Sequence, residues 1–312
     1  MPHSDELWWA NPSLKERLRL DPAAVLKERG IVLPAGLPAD VVHEVVRVAH
    51  LLWVDGRIVS LDQFRIDPAD EGLLFGRGVW ESTRTIDGSP WLWPAHLDRL
   101  RRTADLLDIR VAPERLPDER RVAEYVRSLT GQDVVVRLNV TAGRPGQPGV
   151  VWMSAALQPA PRPSLRLQTL RTPVLAGQPY LTWKTFHYAH RLRVGRQAVD
   201  AGYDTSLMLD PGDNLLEAAH ANLFVRLPDG WATPSAAGGL FLPGTVRQYI
   251  LDRAPLTIRE QTIPLAKLRD IREAFVTNSN VGVVPIVQID KHIIPIGSDT
   301  TNLIRWLGLE NR

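Results

Sequence analysis

The sequence predicts a two-domain chain of mixed helix and sheet, an α+β unit followed by an α/β unit, with a helical extension ahead of both. Three observations predict it. The chain has 312 residues, more than one ordinary domain holds. From residue 50 onward, strand–turn–strand patterns alternate with amphipathic helices, the mark of mixed architecture. A proline-rich stretch, QPAPRPSLR, breaks the pattern after Leu157 and suits a linker. The expected division is an extension over 1–48, a small α+β domain over 49–157, a linker over 158–164 and a large domain over 165–312.

Each element has its own warrant. In the extension, PSLKERLRLDPAAVLKERG carries helical spacing of leucines, with Gly30 as a stop. HLLWVDGRIVS reads as two strands around an Asp55-Gly56 turn, and GVWESTRTIDGSPWLW as two strands around Asp87-Gly88. In PAHLDRLRRTADLLDI, Pro94 suits a first helical position and Leu97, Leu100, Ala104 and Leu107 share a face. A second amphipathic helix is expected over 118–129, then strands in DVVVRLNVT and VVWMSAAL. Beyond the linker, strands are expected at 165–171, 204–210, 222–227, 257–263, 273–277 and 283–289. Helices are expected at 188–201 and 244–253. There is no internal repeat.

Composition excludes several classes. With no cysteine, disulfides, thiolate catalysis and cysteine-type zinc sites are out. No pair of histidines has ligand spacing, so no metal is expected. No apolar run reaches membrane-spanning length, and charges interrupt every early apolar run, so neither a membrane nor a signal peptide is expected and cytoplasm is the default. The net charge is only +2 and no basic run is interleaved with aromatics, so nucleic acid is not an expected partner.

The basic residues are themselves informative. Of 37, only five are lysines: Lys15, Lys27, Lys184, Lys267 and Lys291. Arginine can replace lysine as a surface cation, but it stays protonated and cannot act as a nucleophilic amine. A lysine retained in an apolar setting therefore stands out. Lys184, in PYLTWKTFHY, is the one with aromatic residues on both sides. A lysine snorkelling from a strand end is the competing structural reading.

Five motifs follow in order: LLFGRGVWESTR (73–84), PAHLDRL (94–100), WKTFHY around Lys184, LLEAAHANLF (215–224) and LPGTVR (242–247). FVTNSNVGVVPI (275–286) is a weaker sixth. From about residue 51 to 300 the chain resembles the class IV aminotransferases, the fold-type IV pyridoxal-phosphate enzymes. These include branched-chain and D-amino-acid aminotransferases and aminodeoxychorismate lyase. The segment NPSLKERLRLDPAAVLKERGIVLPAGL separately resembles the leader-like part of nitrile-hydratase-type peptides; a helical extension packed on the body fits it equally.

The class IV resemblance implies a two-domain fold-type IV enzyme with pyridoxal 5′-phosphate, an amino-acid and a keto-acid substrate, and a homodimer. Lys184 is then the amine that holds the aldehyde as a Schiff base and moves the proton. Glu217 keeps the ring nitrogen protonated, as an electron sink requires. Arg99 forks onto the phosphate, with Gly244 and the amides of Thr245 and Val246 opening a helix toward it and Ser279 and Asn280 adding polar groups. Tyr188 either bonds the cofactor's phenolic oxygen or packs in the core. Trp80, Arg137, Arg144 and His187 are the candidate substrate contacts.

The chain also departs from the family pattern. His187 stands where asparagine is common, Ala218, Ala219 and His220 replace hydroxyl-bearing or glycine residues, and Thr141-Ala142-Gly143 lacks the arginine of a T-R-G strand motif. Carboxylate recognition is therefore expected from Arg137, Arg144 or another residue. His187 and His220 are read as structural in preference to pocket members. The expected function is amino-group transfer. A lyase of the aminodeoxychorismate type, ending in pyruvate release, is the alternative, and a non-catalytic peptide-binding protein on the same fold ranks below it.

Overall fold

The structure, a computed structural model, describes Val48 and residues 50–158, 162–171 and 179–308. The leader-like extension lies outside the described residues, apart from Val48.

The first sheet is built from β1 (Leu51–Val54), β2 (Arg57–Ser60), β3 (Gly78–Ile86), β4 (Ser89–Pro90), β5 (Val134–Thr141) and β6 (Val151–Leu157). Its order is β2-β1-β6-β5-β3-β4 and every pairing is antiparallel. The two expected hairpins form at the expected turns. Asp55 (φ 45°) and Gly56 (φ 91°), like Asp87 (φ 52°) and Gly88 (φ 75°), take the positive φ that tight hairpin turns demand.

Helices α1 (Glu71–Phe75), α2 (Trp93–Leu106) and α3 (Glu119–Leu129) accompany this sheet. Pro94 sits in the first turn of α2, and Leu97, Leu100 and Ala104 are buried along one face. Asp118 caps α3 by accepting from the Arg121 amide at 2.8 Å. Two large polar-tipped core residues around this sheet are satisfied: Trp93 Nε1 donates to the Pro117 carbonyl at 2.8 Å, and the Tyr125 hydroxyl to the Leu51 carbonyl at 2.7 Å.

The second sheet has nine strands: β7 (Leu165–Arg171), β8 (Thr205–Leu209), β9 (Leu215–Ala218), β10 (Ala221–Leu227), β11 (Gly230–Thr233), β12 (Ile258–Glu260), β13 (Glu273–Asn278), β14 (Gly282–Ile289) and β15 (His292–Ile293). Pairings of β7 with β8 and β14, and of β11 with β12, are parallel. Because β9 pairs with both β8 and β10, the strands β10-β13-β14-β7-β8-β9 close into a ring. Alternate residues of β10 enter different clusters. Leu223 and Val225 pack with Leu167, Leu207 and Ile286, while Phe224 faces Phe275.

Helices α4 (Ala189–Asp200), α5 (Thr245–Arg253) and α6 (Ser298–Trp306) complete the described residues. Val246, Ile250 and Leu303 cover the Phe224–Phe275 face. The strand expected over 257–263 is paired only at Ile258–Glu260. The short elements β9, β11, β15, α1 and α6 go beyond the expected elements; most are too brief for a periodic signal.

The two sheets meet at the lysine segment. Val79 and Thr185 form an antiparallel bridge, the Trp80 amide donates to the Lys184 carbonyl at 3.1 Å, and the Phe186 amide to Gly78 at 2.9 Å. Beside them, the Arg84 amide donates to the Ser279 carbonyl at 3.0 Å and the Ser82 hydroxyl to Asn280 Oδ1 at 2.8 Å.

Candidate active site

A cleft opens beside this seam, bounded by Arg99, Lys184, Tyr188, Glu217, Gly244 and Ser279 together with Arg191, His220 and Asn222. It gathers residues from α2, α4, α5, β9, β10 and the turn after β13.

Lys184 is buried, with Nζ 3.7 Å from the Trp80 ring centroid and 5.5 Å from that of Tyr188. Burial pulls its pKa down to about 7; Arg99, Arg191 and Arg137 push the same way, and Glu81 opposes them. An amine so placed is substantially neutral at ordinary working pH. Trp80 is fixed by donating Nε1 to the Thr185 carbonyl at 2.9 Å, and its ring also carries the Arg137 guanidinium at 3.8 Å.

Glu217 lies inside β9, fully buried, at another wall of the cleft. Oε1 pairs with Arg191 Nη2 at 2.5 Å and accepts from the Leu242 amide at 3.3 Å; Oε2 accepts only from Asn222 Nδ2, at 3.3 Å. Burial pushes this carboxyl up, against the pull of Arg191, the Leu242 amide and Lys184.

Arg99 projects from α2 into a second buried cluster. Its Nε and Nη2 fork onto Glu81 at 2.7 Å each, and Nη1 donates to the Pro243 carbonyl at 3.0 Å. Glu81 also binds His96 Nδ1 at 2.6 Å. Burial alone would raise the Glu81 pKa, but Arg99 and His96 bring it down to about 2. Burial lowers His96, so it is neutral; with Nδ1–H given to the Glu81 anion, Nε2 accepts from the Thr245 hydroxyl, 3.2 Å away. Thr245 Oγ1 lies 3.2 Å from Ser279 Oγ.

Thr245 and Val246 open α5, whose first turn has no side-chain cap, so its amides are free for an anion. Gly244 is required by close packing, since a Cβ there would stand 2.1 Å from Asn222 Oδ1. Of the residues named from sequence, Arg99, Lys184, Tyr188, Glu217, Gly244, Thr245, Val246 and Ser279 all border the cleft. Asn280 turns instead to Ser82. Arg144 is exposed and pairs with Asp67 at 3.4 Å, and His187 is exposed and lies against Gly76. His220, read as structural, borders the cleft and stacks on Tyr188 with centroids 5.7 Å apart. Burial, helped by Arg191 and Lys184, lowers its pKa to about 4, so the ring is neutral.

Sequence reasoning missed Glu81, His96, Asn222 and Arg191. The first three lay inside quoted motifs, so their types were visible but not their partners. Arg191 sits in AHRLRVGR, where nothing local separates it from its arginine neighbours. Among the described residues no group of acidic or histidine side chains could hold a metal ion, and no helix is long and apolar enough to cross a membrane.

The family pattern described as amino-transferase class IV matches residues 78–289, from β3 through β14. This chain belongs to the class IV aminotransferases. Relatives of this class IV chain include a Methanocaldococcus jannaschii protein named as a branched-chain-amino-acid aminotransferase, 27% identical over 261 residues, 78% of this chain and 89% of that one. The aminodeoxychorismate lyase of Bacillus subtilis is 25% identical over 262 residues, 77% of this chain and 87% of the lyase. In fold it matches a fold IV transaminase from Curtobacterium pusillum (TM-score 0.73, 24% identity, covering 83% and 98% of the two chains). It also matches a hypothetical aminotransferase from Mycobacterium tuberculosis in PLP-bound form (TM-score 0.73, 22% identity, covering 84% and 99%).

Proposed function

We propose that this class IV enzyme moves an amino group between an amino acid or amine and a 2-oxo acid, with pyridoxal 5′-phosphate held by Lys184. The observation that carries the reading is one cleft holding a buried, largely neutral Lys184 amine, the Glu217 carboxylate, and an anion end made of Arg99 and the start of α5. Those groups fit the cofactor's parts. The amine suits its aldehyde, Glu217 its ring nitrogen, Tyr188 its phenolic oxygen, and Arg99 with the Thr245 and Val246 amides and the Ser279 hydroxyl its phosphate.

When bound, the cofactor supplies an electron sink for the charge left as the substrate's α-proton departs. The protein supplies the rest. Lys184, its pKa pulled down to about 7, takes the α-proton and returns it. Glu217 holds a proton on the ring nitrogen. Arg99 and the α5 amides fix position rather than make bonds. Trp80 covers the amine on one side and keeps water from it. Arg137, stacked on Trp80, is the cation placed to take a substrate carboxylate. Arg144, on its exposed loop, has no part in this scheme.

Borohydride reduction of the holoenzyme followed by peptide mapping should label Lys184, and a panel of amino donors should convert the visible cofactor band in a half-reaction. An unlabelled Lys184 defeats the proposal. The Bacillus subtilis relative favours a second reading, a lyase releasing pyruvate. Pyruvate formed from aminodeoxychorismate, with no donor giving a half-reaction, would establish that reading instead. We also propose the two-domain division at 158–164, a homodimer and a cytoplasmic location. The exposed apolar run Leu73, Leu74 and Phe75 supports a surface for a second copy. Sedimentation as a monomer would remove the dimer, and limited proteolysis and cell fractionation test the other two.

A further inference from the structure

The ion pair between Arg191 and Glu217 is not needed to hold a cofactor, yet it is among the most buried on the described surface of the cleft. The two side chains are only 5% and 2% exposed. Arg191 is anchored from both sides: it reaches Glu217 Oε1 at 2.5 Å, the Ala219 carbonyl at 3.4 Å and the Leu181 carbonyl at 3.4 Å. Removing two charges from water costs several kcal/mol, so a pair this dry persists only where geometry and extra hydrogen bonds offset that cost.

The bonding of the two Glu217 oxygens is unequal. Oε1 is taken by Arg191 and the Leu242 amide, while Oε2 has only the long bond from Asn222. A carboxylate oxygen has room for two donors, so Oε2 keeps capacity for one more. Asn222 is itself fixed, donating to the Leu242 carbonyl at 2.8 Å and accepting from the Gly244 amide at 3.1 Å.

We infer that Arg191 is a positioning residue for Glu217: its guanidinium keeps the buried acid ionised and occupies Oε1, so that Oε2 is the oxygen left to accept from a cofactor ring N–H. The charged and titratable groups around Glu217 are Arg191 from α4, Lys184 from the seam and Tyr188 at the head of α4. Arg191 is the one in direct contact. Without it, burial acts unopposed by that contact, the acid takes a proton at higher pH, and a neutral acid no longer holds a ring proton in place. The chemical consequence rests on the cofactor reading above; the hold of Arg191 on Glu217 does not.

The test compares wild type with Arg191→Gln, Arg191→Lys and Glu217→Gln as full-length holoenzymes. Infrared difference spectra of wild type against Glu217→Gln at neutral pH should show no protonated carboxyl assignable to Glu217. Arg191→Gln should show one, and the double variant with Glu217→Gln should lose it. In single-turnover bleaching of the visible band by an amino donor, the acid limb of the rate should rise by about one pH unit or more in Arg191→Gln. That lowers the rate roughly tenfold below the limb, while Arg191→Lys stays near wild type. A wild-type signal for protonated Glu217 at neutral pH overturns the inference without any Arg191 variant, so misfolding cannot shelter it. An Arg191→Gln enzyme with the wild-type profile and no carboxyl signal overturns it as well. A wild type with no visible band fails the cofactor reading alone, and the infrared comparison still decides the role of Arg191.

Discussion

Glu217 lines one end of the cleft and Glu81 stands behind Arg99 at the other, both buried and both paired with an arginine, yet they are built for different work. Glu81 takes a two-pronged fork from Arg99 plus His96, and its pKa falls to about 2. Glu217 takes a single arginine contact, and burial leaves its pKa raised. The first is a saturated anion that braces Arg99 and, through His96, Thr245. The second keeps an oxygen with spare capacity. Burial and an arginine partner do not by themselves define a working carboxylate; unused hydrogen-bonding capacity does.

Four measurements would break or sharpen this contrast. The largest effect is expected from Lys184→Ala, which removes the amine that both ends serve. Turnover should fall by roughly 10⁴-fold or more, with the visible band lost from purified protein. A variant that still transaminates within tenfold of wild type would show that neither end is organised around this residue.

Next, Glu81→Gln leaves Arg99 buried without its counter-charge and should cost about 3–5 kcal/mol in denaturant unfolding. Its pH dependence has a definite sign. The folded pKa is depressed from 4.5 to about 2, so the pair's contribution is complete above pH 4.5 and is lost as pH falls through about 2. Unfolding titrations should find that acid limb in wild type and not in Glu81→Gln.

Third, Glu217→Gln should slow the half-reaction by roughly 100-fold. It should cost less stability than Glu81→Gln, because Arg191 keeps the Leu181 and Ala219 carbonyls. Equal stability losses would erase the distinction drawn above. The smallest effect is expected from Tyr188→Phe, a loss of one hydroxyl with the Trp80 and His220 ring contacts intact, read as a rate decrease below about tenfold.

What was legible in the sequence was local. Asp-Gly at residues 55–56 and 87–88 specifies its turn without help from the rest of the chain. Pro94 and the leucines of α2 likewise carry their own helix start and buried face. Lys184 was visible because lysine is rare here and this one is flanked by aromatics, and Glu217 and Arg99 because motifs in family order pointed to them. The bracing set was not legible, since its meaning is a pairing. Glu81 and His96 belong to different elements and meet only when β3 packs on α2. Arg191 looks like any helix-surface cation until α4 closes over the end of β9. Arg144 erred the opposite way: a cation next to a family motif, yet the turn after β5 carries it out to Asp67.

The bridge at Val79 and Thr185 bears on motion. The main chain at Lys184 and just after it is stitched to β3, through Trp80 and Gly78, while Glu217 belongs to the other sheet. Any sliding of one sheet along the other would therefore drag the amine relative to its acid and spoil the spacing on which proton transfer depends. The seam thus sets the distance between amine and acid like a ruler.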